Sequence, residues 1–144
     1  MGVSAVEKVA RDAGEAMCPY RLVLEHVTSR WGVLVLIELL DSPHRFSELR
    51  RAVGRFGRDV SEKMLAQTLQ VLERDGFVHR DAKPVIPPRV DYSLTALGRE
   101  VAQQVRALAL WTETRMGEVR EARERYDETK RAAQQAATTA DRRA

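Results

Sequence analysis

Ser61-Glu62-Lys63-Met64-Leu65-Ala66-Gln67-Thr68-Leu69-Gln70-Val71-Leu72-Glu73-Arg74-Asp75 separates into two faces when its residues are placed at about 100° intervals around a helix axis. Met64, Leu65, Thr68, Leu69, Val71 and Leu72 fall on one side, and Glu62, Lys63, Ala66, Gln67, Gln70, Glu73 and Arg74 on the other. Such a helix buries its first face and shows its second. Ser61 suits the N-cap, where its hydroxyl accepts from a first-turn N–H that has no partner within the helix, and Gly76 can take the positive φ that closes the far end. The face shown carries Lys63 and Arg74, cations fitted to phosphate or guanine, and Gln67 and Gln70, amides that donate and accept at base edges. That chemistry suits the major groove of a duplex, with Ser61, Lys63, Met64, Gln67 and Gln70 as the expected base-reading set.

The neighbouring segments agree. Residues 46–53 form a shorter helical pattern, and Gly54-Arg55-Phe56-Gly57-Arg58-Asp59 joins it to the first through a turn marked by two glycines. Residues 77–82 and 89–94 favour strands, with Val90, Tyr92 and Leu94 alternating against Arg89, Asp91 and Ser93. Lys83-Pro84-Val85-Ile86-Pro87-Pro88 between them is a stiff loop that cannot be helical. Helix, turn, polar-faced helix and hairpin follow one another in the order of a winged helix-turn-helix, the hairpin being the wing. Residues 43–90 hold ten Lys or Arg against six acids, whereas residues 1–42 carry a net −2 and residues 91–144 a net +1. Positive charge therefore gathers where an anionic duplex would lie. Arg45, Arg50, Arg51, Arg58 and Arg74 around the motif, with Lys83 and Arg89 beside the wing loop, are the expected phosphate contacts.

Outside this core the chain offers two amphipathic ends. Val3, Val6, Ala10, Ala13 and Met17 follow 3,4,3,4 spacing and form one helical stripe. Pro19 suits a helix's first turn, and Leu22, Val23, His26 and Val27 continue that second helix to about Ser29. Trp31 precedes the nearly all-apolar stretch 33–40, a central core helix ended by Asp41, Ser42 and Pro43. Thr95 can cap a long final helix in which Leu97, Val101, Val105, Leu108, Thr112, Met116 and Val119 keep helical spacing. The expected organisation is an N-terminal dimerisation helix at 1–17, a DNA-binding core at 18–95, a C-terminal dimerisation helix at 96–120, and a charged tail at 121–144, frayed or disordered because it has little to bury.

Composition narrows the function. The chain has 144 residues and a net charge of +3, which fits one compact domain with terminal helices, meeting an anionic partner only through a local patch. The longest nearly apolar run contains Glu38 and falls short of the roughly 20 residues of a membrane span. No amino-terminal leader is evident, and one cysteine, Cys18, makes no disulfide framework within the chain, so a reducing cytoplasm is the expected compartment. His26, His44 and His79 lie on separate elements without a second ligand at metal-site spacing, so no metal or cofactor is expected. Phosphate-cradling glycines, a nucleophile elbow and paired carboxylates are absent, and the chain does not read as an enzyme. Trp31, Phe46 and Trp111 are assigned to the core ahead of an effector pocket.

Cys18-Pro19, Trp31 before its apolar helix, Arg45-Phe46-Ser47-Glu48-Leu49-Arg50-Arg51, Ser61-Glu62-Lys63-Met64-Leu65, Leu72-Glu73-Arg74-Asp75-Gly76-Phe77-Val78, Pro87-Pro88-Arg89-Val90-Asp91-Tyr92-Ser93-Leu94-Thr95 and Gly98 together resemble the HxlR family of bacterial transcription regulators, over about residues 18–111. The resemblance implies a winged-helix fold and a homodimer, built by terminal helices, on a near-palindromic operator. It also implies action as repressor or activator and, in some members, sensing of oxidants or reactive electrophiles by a cysteine at the position of Cys18. The turn at 54–60 is longer and more basic than the usual family turn. Independently of the family, Cys18 directly precedes Pro19 at an expected helix N-terminus, where unpaired N–H groups and the helix dipole stabilise a thiolate. A small buried hydrophobe is the ordinary alternative.

Each polar helix face taken alone is an ordinary solvated surface. The order of elements, the local charge and the wing favour a mostly α winged helix-turn-helix with a small antiparallel β-hairpin, a nucleoid-associated homodimeric DNA-binding regulator open to an oxidant or small-molecule effector. A winged-helix module that binds another protein is the second reading, and a ligand carrier the third. A coiled-coil scaffold would use the terminal stripes but leave the hairpin and the polar face of 61–75 without a role.

Overall fold

The computed structural model describes residues 19–56 and 59–144. The expected helix at 1–17, together with Cys18 and Arg58, lies outside the described residues. The chain divides after Ala107 into two units.

In the first unit, α1 (Pro19–Thr28) is followed at once by α2 (Arg30–Asp41). Ser29 separates them: its backbone is extended, and its hydroxyl accepts from the Gly32 N–H at 3.1 Å, the N-cap role that suits serine. Two residues, β1 (His44–Arg45), then lead into α3 (Phe46–Gly54), the connection at 55–61, α4 (Glu62–Arg74), β2 (Val78–Lys83) and β3 (Arg89–Leu94). The sheet has three antiparallel strands in the order β1-β3-β2, one more than the expected hairpin. His44 pairs with Tyr92 and Arg45 with Asp91. A two-residue strand shows no alternation, so its extended state comes from pairing with β3 and carries no signature of its own.

The core is built by α2, α3, α4 and the sheet. Val35, Leu36 and Leu39 of α2, Leu49 and Val53 of α3, and Leu65, Leu69 and Leu72 of α4 are buried, with Phe77, Val78 and Tyr92 closing the sheet side. Trp31 and Phe46 are half-buried against this cluster, as core aromatics, whereas Trp111 is 58% exposed. The core assignment of Trp111 is thereby corrected: the residues of α5 that belong to the core cluster are Val101, Ala102 and Val105.

Two glycines fix how the sheet meets the helices. Gly76 has φ +83°, the left-handed conformation that ends α4 and turns the chain into β2. The long helix α5 (Ala96–Thr114) starts at Thr95, whose hydroxyl accepts from Gly98 N–H at 2.9 Å and donates to the Gly76 carbonyl at 2.6 Å. One side chain thus ties the start of α5 to the end of α4. A Cβ at Gly98 would overlap the Phe77 carbonyl, so only glycine lets α5 lie this close to the backbone entering β2.

In the second unit, the expected single long helix is interrupted at Arg115, with φ −96° and ψ 4°, before α6 (Met116–Arg143). The tail is helical as far as Arg143 with no buried residue. Ala, Glu, Gln, Arg and Lys dominate it, and these straight or compact side chains have high helix propensity even where nothing is buried.

Gly98→Ala is expected to lower unfolding free energy by about 2 kcal/mol or more, the scale of overpacking against backbone that cannot retreat. Urea unfolding followed by far-ultraviolet circular dichroism measures it, and an unchanged midpoint would show that α5 can move off β2.

Candidate nucleic-acid interface

The outward side of α4 is organised by the core beneath it. Leu65, Leu69 and Leu72 are each at most 1% exposed, which fixes the rotation of the helix and turns Glu62, Lys63, Ala66, Gln67, Gln70, Glu73 and Arg74 to the surface. Lys63, Gln67, Gln70 and Arg74 form no side-chain hydrogen bond or ion pair with another described residue. Met64, which the helical wheel sorts with the apolar residues, is 45% exposed at the edge between the two faces. It therefore stands with the expected base-reading residues at the surface.

The start of α4 is fastened in two ways. Ser61 accepts from the Met64 N–H at 3.1 Å, leaving its own O–H free to donate. Arg50 reaches across from α3, its Nε donating to the Val60 carbonyl at 2.9 Å and its Nη1 to the Glu62 carboxylate at 3.4 Å. Arg50 therefore anchors the connection between the two helices, a structural task beside the phosphate contact expected of it. Arg45 lies 3.7 Å from Glu48 with both side chains about half exposed, and Arg51 is exposed beside Arg50 and Asp59.

The far end of α4 is held by a pair that sequence reading missed. His26 Nδ1 of α1 lies 2.6 Å from Oδ2 of Asp75, the C-cap residue, and the side chains are only 20% and 13% exposed. Helical spacing suggested the inward direction of His26 but not its partner, 49 residues away.

On the wing, Arg80 is a site residue that the strand pattern alone does not single out. It is exposed on β2 opposite Tyr92 and lines an open depression with Ala66, Gln70 and Glu73 of α4, so the base of the wing adjoins the polar helix face. Lys83 and Arg89, expected as phosphate contacts, each have an acidic neighbour. Lys83 Nζ is 2.6 Å from Asp81, and Arg89 Nε is 3.0 Å from Asp91. Hydrogen bonding from Lys83 holds the Asp81 carboxyl below the usual carboxylate range, and Asp81, reinforced by Asp91, raises Lys83 above the ordinary lysine range. The loop between them exposes Val85 and, fully, Ile86.

No helix among the described residues is long and apolar enough to cross a membrane. The profile of the HxlR-like helix-turn-helix family matches residues 26–133. The protein YtfH of Escherichia coli strain K12, named an HTH-type transcriptional regulator, is 60% identical over 102 residues, covering 71% of this chain and 78% of that protein. The structure of YtfH from Salmonella typhimurium, described as a transcriptional regulator, superposes with a TM-score of 0.69 at 57% identity, covering 77% of this chain and 96% of that one. The redox regulator HypR in its oxidised form is similar at 33% identity with a TM-score of 0.59, over 67% of this chain and 96% of that one.

Replacing Ser61 by Ala removes the side-chain acceptor at the start of α4 and should cost about 1 kcal/mol of stability. Denaturant titration checks this, and a loss no larger than that of an exposed Ala substitution elsewhere would mean the cap is dispensable.

Proposed function

Because the chain belongs to the HxlR-like helix-turn-helix family, we propose that it is a sequence-specific regulator of transcription that binds duplex DNA as a homodimer on a near-palindromic operator. The observation that carries this reading is the outward face of α4, where Lys63, Gln67 and Gln70 are exposed without partners among the described residues on a helix whose other face is locked in the core. Ser61, Lys63, Met64, Gln67 and Gln70 are the base readers. Arg45, Arg51, Arg58 and Arg74 hold the phosphates, with the anchoring Arg50 and the wing's Lys83 and Arg89 completing the set.

A single recognition helix reads only a few base pairs, so two copies with half-sites about one helical turn apart supply the missing specificity. Exposed apolar side chains are available for that pairing: Leu22 and Leu24 on α1, and Leu108, Leu110 and Trp111 on α5. The terminal segments 1–17 and 96–120 are the dimerisation helices of this reading. Repression is its default mode, because a bound dimer occludes polymerase without any further contact. The protein works in the bacterial cytoplasm on nucleoid DNA.

Its signal is an oxidant or electrophile acting at Cys18, a proposal supported by the likeness to the redox regulator HypR. With no second cysteine in the chain, the modified form is a disulfide to another chain, a mixed disulfide with a small thiol, or an electrophile adduct. Any of these alters the pairing of the subunits and so the spacing of their reading helices.

Gln67→Ala should relax sequence preference while leaving binding to random duplex unchanged, whereas Arg51→Ala should weaken all duplexes alike and flatten the salt slope by about 0.9. Fluorescence anisotropy titrations at several salt concentrations separate the two, and identical effects of both changes on specific and random DNA would contradict this division of labour. Cys18→Ser should leave operator affinity intact but abolish its response to diamide or a quinone. A response equal to that of the wild type would remove Cys18 from signalling.

A further inference from the structure

Asp81, Lys83, Arg89 and Asp91 form a closed square on one face of the wing, whose fifth charge, Arg80, belongs to the other face. In the β2–β3 register Asp81 stands opposite Asp91 and Lys83 opposite Arg89, and along each strand acid and cation are two residues apart, hence on one face of the hairpin. Both acid–cation pairs are made, at 2.6 Å and 3.0 Å. Neighbouring corners of such a square lie roughly 5–7 Å apart, inside the ~8 Å Debye length of physiological salt. A phosphate row therefore meets this face as a unit of zero net charge, even while individual surface pairs exchange with water. The tip beyond it, residues 84–88, contains no charged residue.

The arrangement is unfavourable by itself. Two carboxylates directly opposite each other across a strand pair repel, as do the two cations beside them. Only the diagonal and lengthwise attractions offset this, and an uncharged polar residue at either acidic position would spare the repulsion. What the acids do is cancel cations at the edge of a surface otherwise rich in unpaired arginine.

Building on the DNA-binding reading above, we infer that Asp81 and Asp91 are specificity-determining residues. They neutralise Lys83 and Arg89 so that this face of the wing adds no counterion release, and they keep the protein from binding random duplex through that face. The physical basis is that non-specific affinity arises almost wholly from released counterions. Specificity is a difference of affinities, and suppressing the unwanted complex raises it as effectively as improving the wanted one. Lys83 and Arg89 then orient the wing beside the phosphates without contributing net charge.

The test uses the full-length protein, a labelled duplex recovered from a random pool with wild-type protein, and a random-sequence duplex. Each is titrated across a salt series with the wild type, Asp81→Asn, Asp81→Asn/Asp91→Asn and the charge-matched Lys83→Ala/Asp81→Asn. Removing each carboxylate should raise affinity for the random duplex about fivefold, the scale of one unit-charge contact in water, and steepen the salt slope by about 0.9. The ratio of specific to random affinity should fall. The charge-matched variant should keep the wild-type slope, because a neutral corner replaces a neutral pair. Unchanged random-duplex affinity and slope in the doubly neutralised protein would overturn the inference while leaving operator binding intact. Weaker binding of Asp81→Asn to the recovered duplex would also overturn it, by making that carboxylate a direct base reader. If wild-type protein enriches no duplex, the DNA-binding reading fails and this inference with it.

Discussion

The burial of Leu65, Leu69 and Leu72 in the core cluster shared with α2 is the constraint on which the rest of the molecule depends. Three leucines at i, i+4 and i+7 leave a helix one low-energy rotation about its axis, since turning it would place both apolar and amide groups in the wrong medium. Once that rotation is set, Gln67 and Gln70 stand exposed on the outward side. Ser61 and Arg50 fix where the helix begins, and Gly76 with the His26–Asp75 contact fixes where it ends. The polar face is thereby a rigid template rather than a set of mobile side chains on a mobile support, which is the condition for reading bases within hydrogen-bond tolerance.

Around that template the unit divides its cations into kinds. Arg50 is spent on the connection between α3 and α4, Lys83 and Arg89 are matched by acids, and Lys63, Arg51 and Arg74 remain without partners among the described residues. A net charge of +3 therefore describes the surface poorly. In the proposed function, what steers a duplex is the local excess on and around α4, and what limits adhesion to any duplex is how much of the remaining charge is already answered. The contact between His26 and Asp75 also links α1 to the end of the helix that faces outward.

The sequence made the central elements legible because their signals are local. The two faces of 61–75, its serine cap and its glycine stop are all within one segment, and the hairpin strands show period-two alternation. Other features depended on partners far along the chain. β1 exists through two residues paired to β3, the partner of His26 is 49 residues away, and the neutral square of the wing requires the exact strand register that brings Asp81 opposite Asp91. Met64 lies at a boundary that a wheel must assign to one side, and the exposed Trp111, assigned to the core for its size, shows that a large aromatic at helical spacing is not thereby covered. The helical tail reflects propensity without burial, which hydrophobic patterning does not register.

Enrichment of bound sequences from a random duplex pool by the full-length protein tests the central claim most directly. If the polar face of α4 reads the major groove once per subunit, the enriched sequences will share two inverted half-sites whose centres lie one helical turn, about 34–36 Å, or a multiple of it apart. A pool that stays random, or a motif without two-fold symmetry, would contradict the account.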